Sequence, residues 1–137
     1  EITERVLTTN LEIVKRQISQ LGKLQIGIAI DDYGTGYSSL ERLIQFKLNT
    51  IKIDKAYIQK VQSDNEIKAV VQSTIDLAHN FGLQVVGEGV ENEETHIALT
   101  NMGCDISQGF LFGHPMPADE FLTWLKGKYA AKSPEIQ

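Results

Sequence analysis

Gln25-Ile-Gly-Ile-Ala-Ile-Asp-Asp-Tyr-Gly-Thr-Gly-Tyr-Ser-Ser-Leu40 decides how the rest of the chain is read. Ile26 to Ile30 is a short apolar run rich in β-branched residues, the signature of a buried strand. It ends in two adjacent carboxylates, Asp31 and Asp32, and is then broken by Gly34 and Gly36. Two charges closing a buried strand are costly unless a cation offsets them. Hard divalent cations prefer carboxylate oxygens, so a metal is the leading partner for this pair.

Outward from this segment the pattern alternates strand and helix. Glu1 to Thr3 reads as a strand end, and Thr8 to Leu21 as an amphipathic helix stopped by Gly22. Gln25 to Ile30 is the second strand, followed by a short helix over Ser38 to Phe46. Thr50 to Asp54 alternates with period two, and Asn65 to Phe81 carries a helical stripe of Ile67, Val70, Val71, Ile75 and Ala78. Another strand starts at Gln84, a helix covers Glu93 to Met102, a short strand Asp105 to Gln108, and a last helix Ala118 to Lys126. Residues 1–127 form one domain in this reading, and 128–137 a polar tail. The alternation implies a parallel α/β sheet with right-handed crossovers. Two architectures satisfy it: an open doubly wound sheet of about five strands, or a (β/α)8 barrel lacking its first strands, for which five units need roughly 150 residues.

The 137 residues suffice for one domain with a core, and 42% apolar with 23% charged content is globular. The net charge of -5, with basic residues scattered, argues against a DNA or RNA polymer as partner. Cys104 is the single cysteine, which excludes a disulfide framework and a thiolate zinc site and suits a small buried hydrophobe. His79, His96 and His114 read as surface residues. No segment approaches the ~20 apolar residues of a membrane span, so a cytoplasmic setting is expected. The chain opens at Glu1 without Met, which leads us to expect a piece of a longer protein.

The polar residues fall where strands end: Glu1 by the first, Asp31 and Asp32 by the second, Lys52 and Asp54 by the third, Glu88 by the fourth, Gln108 by the fifth. In parallel α/β folds the carboxyl ends of all strands lie on one edge, so these side chains are expected to converge. Five acids, one lysine and one amide, without histidine, suit Mg2+ or Mn2+ and phosphate chemistry, and two such ions can clamp an in-line displacement. Lys52 would stabilise the attacking hydroxide, and Gln108 would orient water or substrate. A metal-binding phosphotransfer receiver is a looser alternative, with no use for Glu88 or Gln108.

Glu1-Ile-Thr-Glu4, Asp31-Asp-Tyr-Gly-Thr-Gly-Tyr-Ser-Ser39, Ile51-Lys-Ile-Asp54, Gly87-Glu-Gly-Val-Glu91, Gln108-Gly-Phe110 and Pro115-Met-Pro-Ala118 resemble the EAL domain. The likeness runs from Glu1 to about Leu125. It implies the C-terminal five βα units of a (β/α)8 TIM-like barrel, incomplete in this chain. It also implies a bacterial signalling enzyme that uses two Mg2+ or Mn2+ ions to hydrolyse cyclic di-GMP to pGpG. By resemblance, Glu1, Asp31, Asp32 and Glu88 are metal ligands, with Asp31 the bridge. Lys52, Glu88 and Gln108 serve catalysis, Lys52 and Gln108 attending the nucleophilic water. Glu4 anchors the aspartate loop and Glu91 supports the site. The 33–39 loop region links the site to a homodimer interface. Tyr33 and Gly87 stand where the family more often has Phe and Ala. The Glu-Ala-Leu motif and an asparagine ligand belong to earlier strands that this chain lacks, so the chain alone is expected to be inactive. A degenerate domain that senses cyclic di-GMP without cutting it is the rival reading. A parent protein with an upstream sensory or GGDEF domain, itself membrane-anchored or not, is compatible with the resemblance.

Overall fold

The computed structural model describes residues 1–3, 5–6, 11–34 and 45–130, with backbone alone for 129 and 130. Glu4, loop residues Thr35 to Ser39, most of the helix expected over Ser38 to Phe46, and tail residues 131–137 lie outside the described residues. Five strands, β1 (Ile2–Thr3), β2 (Ala29–Tyr33), β3 (Thr50–Ile53), β4 (Gln84–Glu88) and β5 (Ile106–Gln108), form one sheet. Every neighbouring pair is parallel, and the order across the sheet is β1-β2-β3-β4-β5. This order separates the two candidate architectures. A doubly wound sheet reverses its strand order at a switch point, whereas a barrel wall adds each strand beside the last.

The helices are α1 (Leu11–Lys23), α2 (Lys55–Ile58), α3 (Asn65–Asn80), α4 (Glu93–Asn101) and α5 (Ala118–Ala130). Capping fixes their starts: Asp64 accepts from the amides of Glu66 and Ile67 at α3, and Asn92 from Thr95 at α4. On the helix-facing side of the sheet, Ile30, Ile51 and Val85 share a register row and are fully buried with Ile58, Ile75 and Leu99. Gly87 continues that side: a Cβ there would stand 2.8 Å from Leu99 Cδ1, so glycine lets α4 seat on β4. Lys52, with its neighbours in the strand facing the other way, belongs to the opposite face.

Two expectations shift. The second strand starts at Ala29 rather than Gln25 and runs through Tyr33, so the aspartate pair lies inside the strand. Gln25 adopts a positive φ of 58°, and the Ile28 amide donates to the Asn49 side chain at 2.9 Å instead of a ladder partner. The helix α2 was not anticipated. Asp54, expected to close the third strand, instead caps α2 by accepting from the Ala56 amide at 2.7 Å. Among the described residues no helix is long and apolar enough to cross a membrane.

Candidate active site

The aspartate pair gains its geometry from a break in strand register. Ile30 pairs with Ile51 and Tyr33 with Ile53, so three steps along β2 oppose two along β3. This is a β-bulge, and it re-aims a side chain. Adjacent residues of a regular strand point to opposite faces. Here Asp32 takes φ 55°, and an oxygen from each of Asp31, Asp32 and Glu88 falls within 4.8 Å of the others.

Lys52 projects from β3 into this cluster. Its Nζ lies 2.7 Å from Glu88 Oε1, 3.0 Å from Asp31 Oδ1 and 3.1 Å from Glu1 Oε1. The lysine side chain is 8% exposed, against 16% for Glu88, 26% for Asp31 and 59% for Glu1. Burial by itself would push the ammonium's pKa down. Hydrogen bonds to Glu88, Asp31 and Glu1 outweigh it and hold the pKa above the ordinary lysine value. Glu1 precedes β1 rather than following it, yet its side chain still reaches the lysine. One ammonium thus meets three carboxylates, with Asp32 beside them. Hard oxygen donors at this density, in excess of the local cation charge, fit divalent metal ions of the Mg2+ or Mn2+ type.

Glu88 and Gln108 are register partners at the carboxyl ends of β4 and β5. They line a cleft of about 340 Å³ together with Asp32, Asp54, Lys55, Gly89, Glu91, Gly109 and Phe110. The loops after β4 and β5 are tied together beneath it. The Val90 amide donates to the Gln108 carbonyl at 3.0 Å, and the Leu111 amide to the Val90 carbonyl at 3.1 Å. Glu91 accepts from the Gln59 side-chain Nε2 at 3.0 Å, which docks it on the α2 side of the cleft. Asp31, Asp32, Lys52, Glu88, Gln108 and Glu91 therefore gather toward the carboxyl edge of the sheet, and Glu1 joins them through its side chain alone. Asp54, expected at this edge, lines the cleft, but its cap on Ala56 and the neighbouring Tyr57 were missed. Only a strand-to-helix turn after Asp54 places them there, and its single signal was an Asp two residues before Ala56.

The histidines have partners that sequence alone did not supply. His79 Nε2 lies 2.9 Å from Asp105 Oδ2, His96 Nδ1 3.0 Å from Ser107 Oγ, and His114 stacks on Phe110. Cys104 is half-buried. Its environment raises the thiol pKa, chiefly through burial, and Sγ donates to the Ile106 carbonyl at 3.3 Å.

The EAL domain model matches residues 1–115. The chain belongs to the EAL domain family. It is 39% identical over 127 residues to the cyclic di-GMP phosphodiesterase RocR of Pseudomonas aeruginosa, covering 93% of this chain and 32% of RocR. The structure of the PaMucR phosphodiesterase in complex with c-di-GMP superposes with a TM-score of 0.83 at 38% identity, over 88% of this chain and 49% of that one. Klebsiella pneumoniae BlrP1, solved with manganese and cyclic di-GMP, superposes with a TM-score of 0.77 at 33% identity, over 82% and 29%. The chain thus spans about a third of RocR and half of the PaMucR chain. Its five units are the C-terminal part of the EAL barrel, in agreement with the sheet order.

Proposed function

We propose that this chain supplies the C-terminal half of the active site of a divalent-metal-dependent phosphodiesterase that hydrolyses cyclic di-GMP to pGpG. One observation carries the reading: the β2 bulge brings Asp31, Asp32 and Glu88 within ligating distance of one another around Lys52. With Glu1, these residues would hold Mg2+ or Mn2+, with Asp31 as the shared ligand. Such ions, when bound, neutralise phosphate charge and activate water. Lys52 spaces the carboxylates in their absence and faces the attacking water in the reaction. Gln108, in the same cleft as Asp32, would orient that water or the phosphodiester by hydrogen bonds. Glu91 and Glu4 support the loops that carry the ligands. The 33–39 region, which starts directly after Asp32, would link the site to a second copy in a homodimer. The setting is cytoplasmic, and an upstream sensory or GGDEF domain would set the activity.

A sensor that binds without cutting is disfavoured because each ligand position within this chain keeps its acid. The chain alone is inactive in this reading, because the remaining ligands come from strands outside it. The test is Asp31→Ala in the complete domain. Formation of pGpG from cyclic di-GMP is expected to vanish, while Lys52→Ala, equally inactive, still binds Mn2+. Retained turnover in Asp31→Ala refutes the shared-ligand role.

A further inference from the structure

The backbone of Asp32 runs between a strand pairing on one side and a tie to α2 on the other. Asp32 sits in the left-handed region at φ 55°, uncommon for any residue with a side chain. Before it, Ile30 is locked by its pairing with Ile51. After it, Tyr33 pairs with Ile53, and the chain leaves the sheet at Gly34 with φ 100°. At that exit stands Tyr57. It lies on α2, a single turn fastened directly to the end of β3 by the Asp54 cap. The half-buried Tyr57 donates its hydroxyl to the Gly34 carbonyl at 2.6 Å, across 23 residues of chain. The ring also fills the space beside Gly34: a Cβ at that position would meet Tyr57 Cε2 at 3.2 Å. Ile58, the next residue, is fully buried and fixes the helix that holds the ring.

We infer that Tyr57 is a positioning residue for the metal site. It acts through the backbone of Gly34, holding the exit of β2 against the element that continues from Lys52 and so keeping Asp32 turned toward Asp31 and Glu88. The phenol touches no ligand carboxylate in this role. Its hydroxyl matters because it ties the carbonyl two residues beyond a left-handed aspartate to α2, across 23 residues of chain. A phenylalanine would keep the packing and lose the tether. The inference rests on the metal-holding role proposed above for Asp32.

The experiment compares wild type, Tyr57→Phe and Ile58→Val in the complete domain. Mn2+ affinity is read by electron paramagnetic resonance, and the melting temperature is read in EDTA. Tyr57→Phe is expected to weaken Mn2+ binding about fivefold, the scale of one ordinary net hydrogen bond. Ile58→Val loosens the same helix from the core without touching Gly34; it is expected to lower the metal-free melting temperature and leave Mn2+ affinity unchanged. Wild-type Mn2+ affinity in Tyr57→Phe overturns the inference alone. So does an equal loss of affinity in Ile58→Val, since the effect then belongs to the helix and not to the hydroxyl. Failure of the wild-type domain to bind Mn2+ overturns both this inference and the metal reading beneath it.

Discussion

Replacing Lys52 by Met removes the ammonium that Glu1, Asp31 and Glu88 share, while keeping most of the side chain's volume. The magnitude follows from the geometry. Breaking a buried ion pair by deleting one partner costs about 3–5 kcal/mol, because the other charge is left uncompensated. Glu1 is 59% exposed, so water screens it and its share is small. Glu88 at 2.7 Å and Asp31 at 3.0 Å are mostly buried and dominate. Allowing for their partial exposure, Lys52→Met should destabilise the metal-free domain by about 2–3 kcal/mol. For a domain of this size that is a fall in melting temperature of about 8 °C. The raised pKa of Lys52 fixes the pH dependence. Its stabilising contribution is complete below the ordinary lysine value of 10.5 and is lost only as pH rises above it through the folded-state value, so the deficit should be flat between pH 6 and 9. A divalent ion at a hundred times its Kd adds about 2.7 kcal/mol, so Mn2+ should bring the variant to about the stability of the metal-free wild type. The assay is thermal unfolding of the complete domain in EDTA and in saturating Mn2+. A variant melting within about 2 °C of wild type in EDTA would show that the lysine is not what holds the cluster together.

Two further perturbations probe the scaffold away from the metal. Burial raises the Asp105 carboxyl, but bonds from His79 and the Val85 amide outweigh it and hold the pKa below the usual 3.8. Asp105→Asn should therefore cost stability at pH 7, by under about 1 kcal/mol given the exposure of the pair. The difference should narrow as pH falls from 3.8 through the folded-state value, where the wild type loses its charge too, and urea midpoints followed downward from pH 7 measure both. At Gly109 a Cβ would collide with the Val90 carbonyl oxygen, so Gly109→Ala must part the loops after β4 and β5. A loss of at least about 2 kcal/mol in a denaturant melt is expected, and a melt like that of wild type would mean the two loops are not locked together.

The strand-helix alternation and the polar residues at the strand ends were legible in sequence because they follow from local periodicity and from the rule that parallel strands share one carboxyl edge. That rule put Asp31, Lys52, Glu88 and Gln108 together before any coordinates, and the family motifs named the barrel. Residues alone left two sheet architectures open, since strand order is a long-range property that local patterns do not encode. The parallel order β1-β2-β3-β4-β5 decided between them. Tertiary structure also decided how two adjacent aspartates serve one site. Period-two alternation assigns them to opposite faces, and only the pairing of β2 with β3 reveals the bulge that turns both inward. The turn at Asp54 is of the same kind: a strand pattern running through residue 54 hides a cap, a helix and the Tyr57 hydroxyl that reaches Gly34. The sequence determined which groups meet. The register between strands, set by packing partners distant along the chain, determined the angle at which they do so.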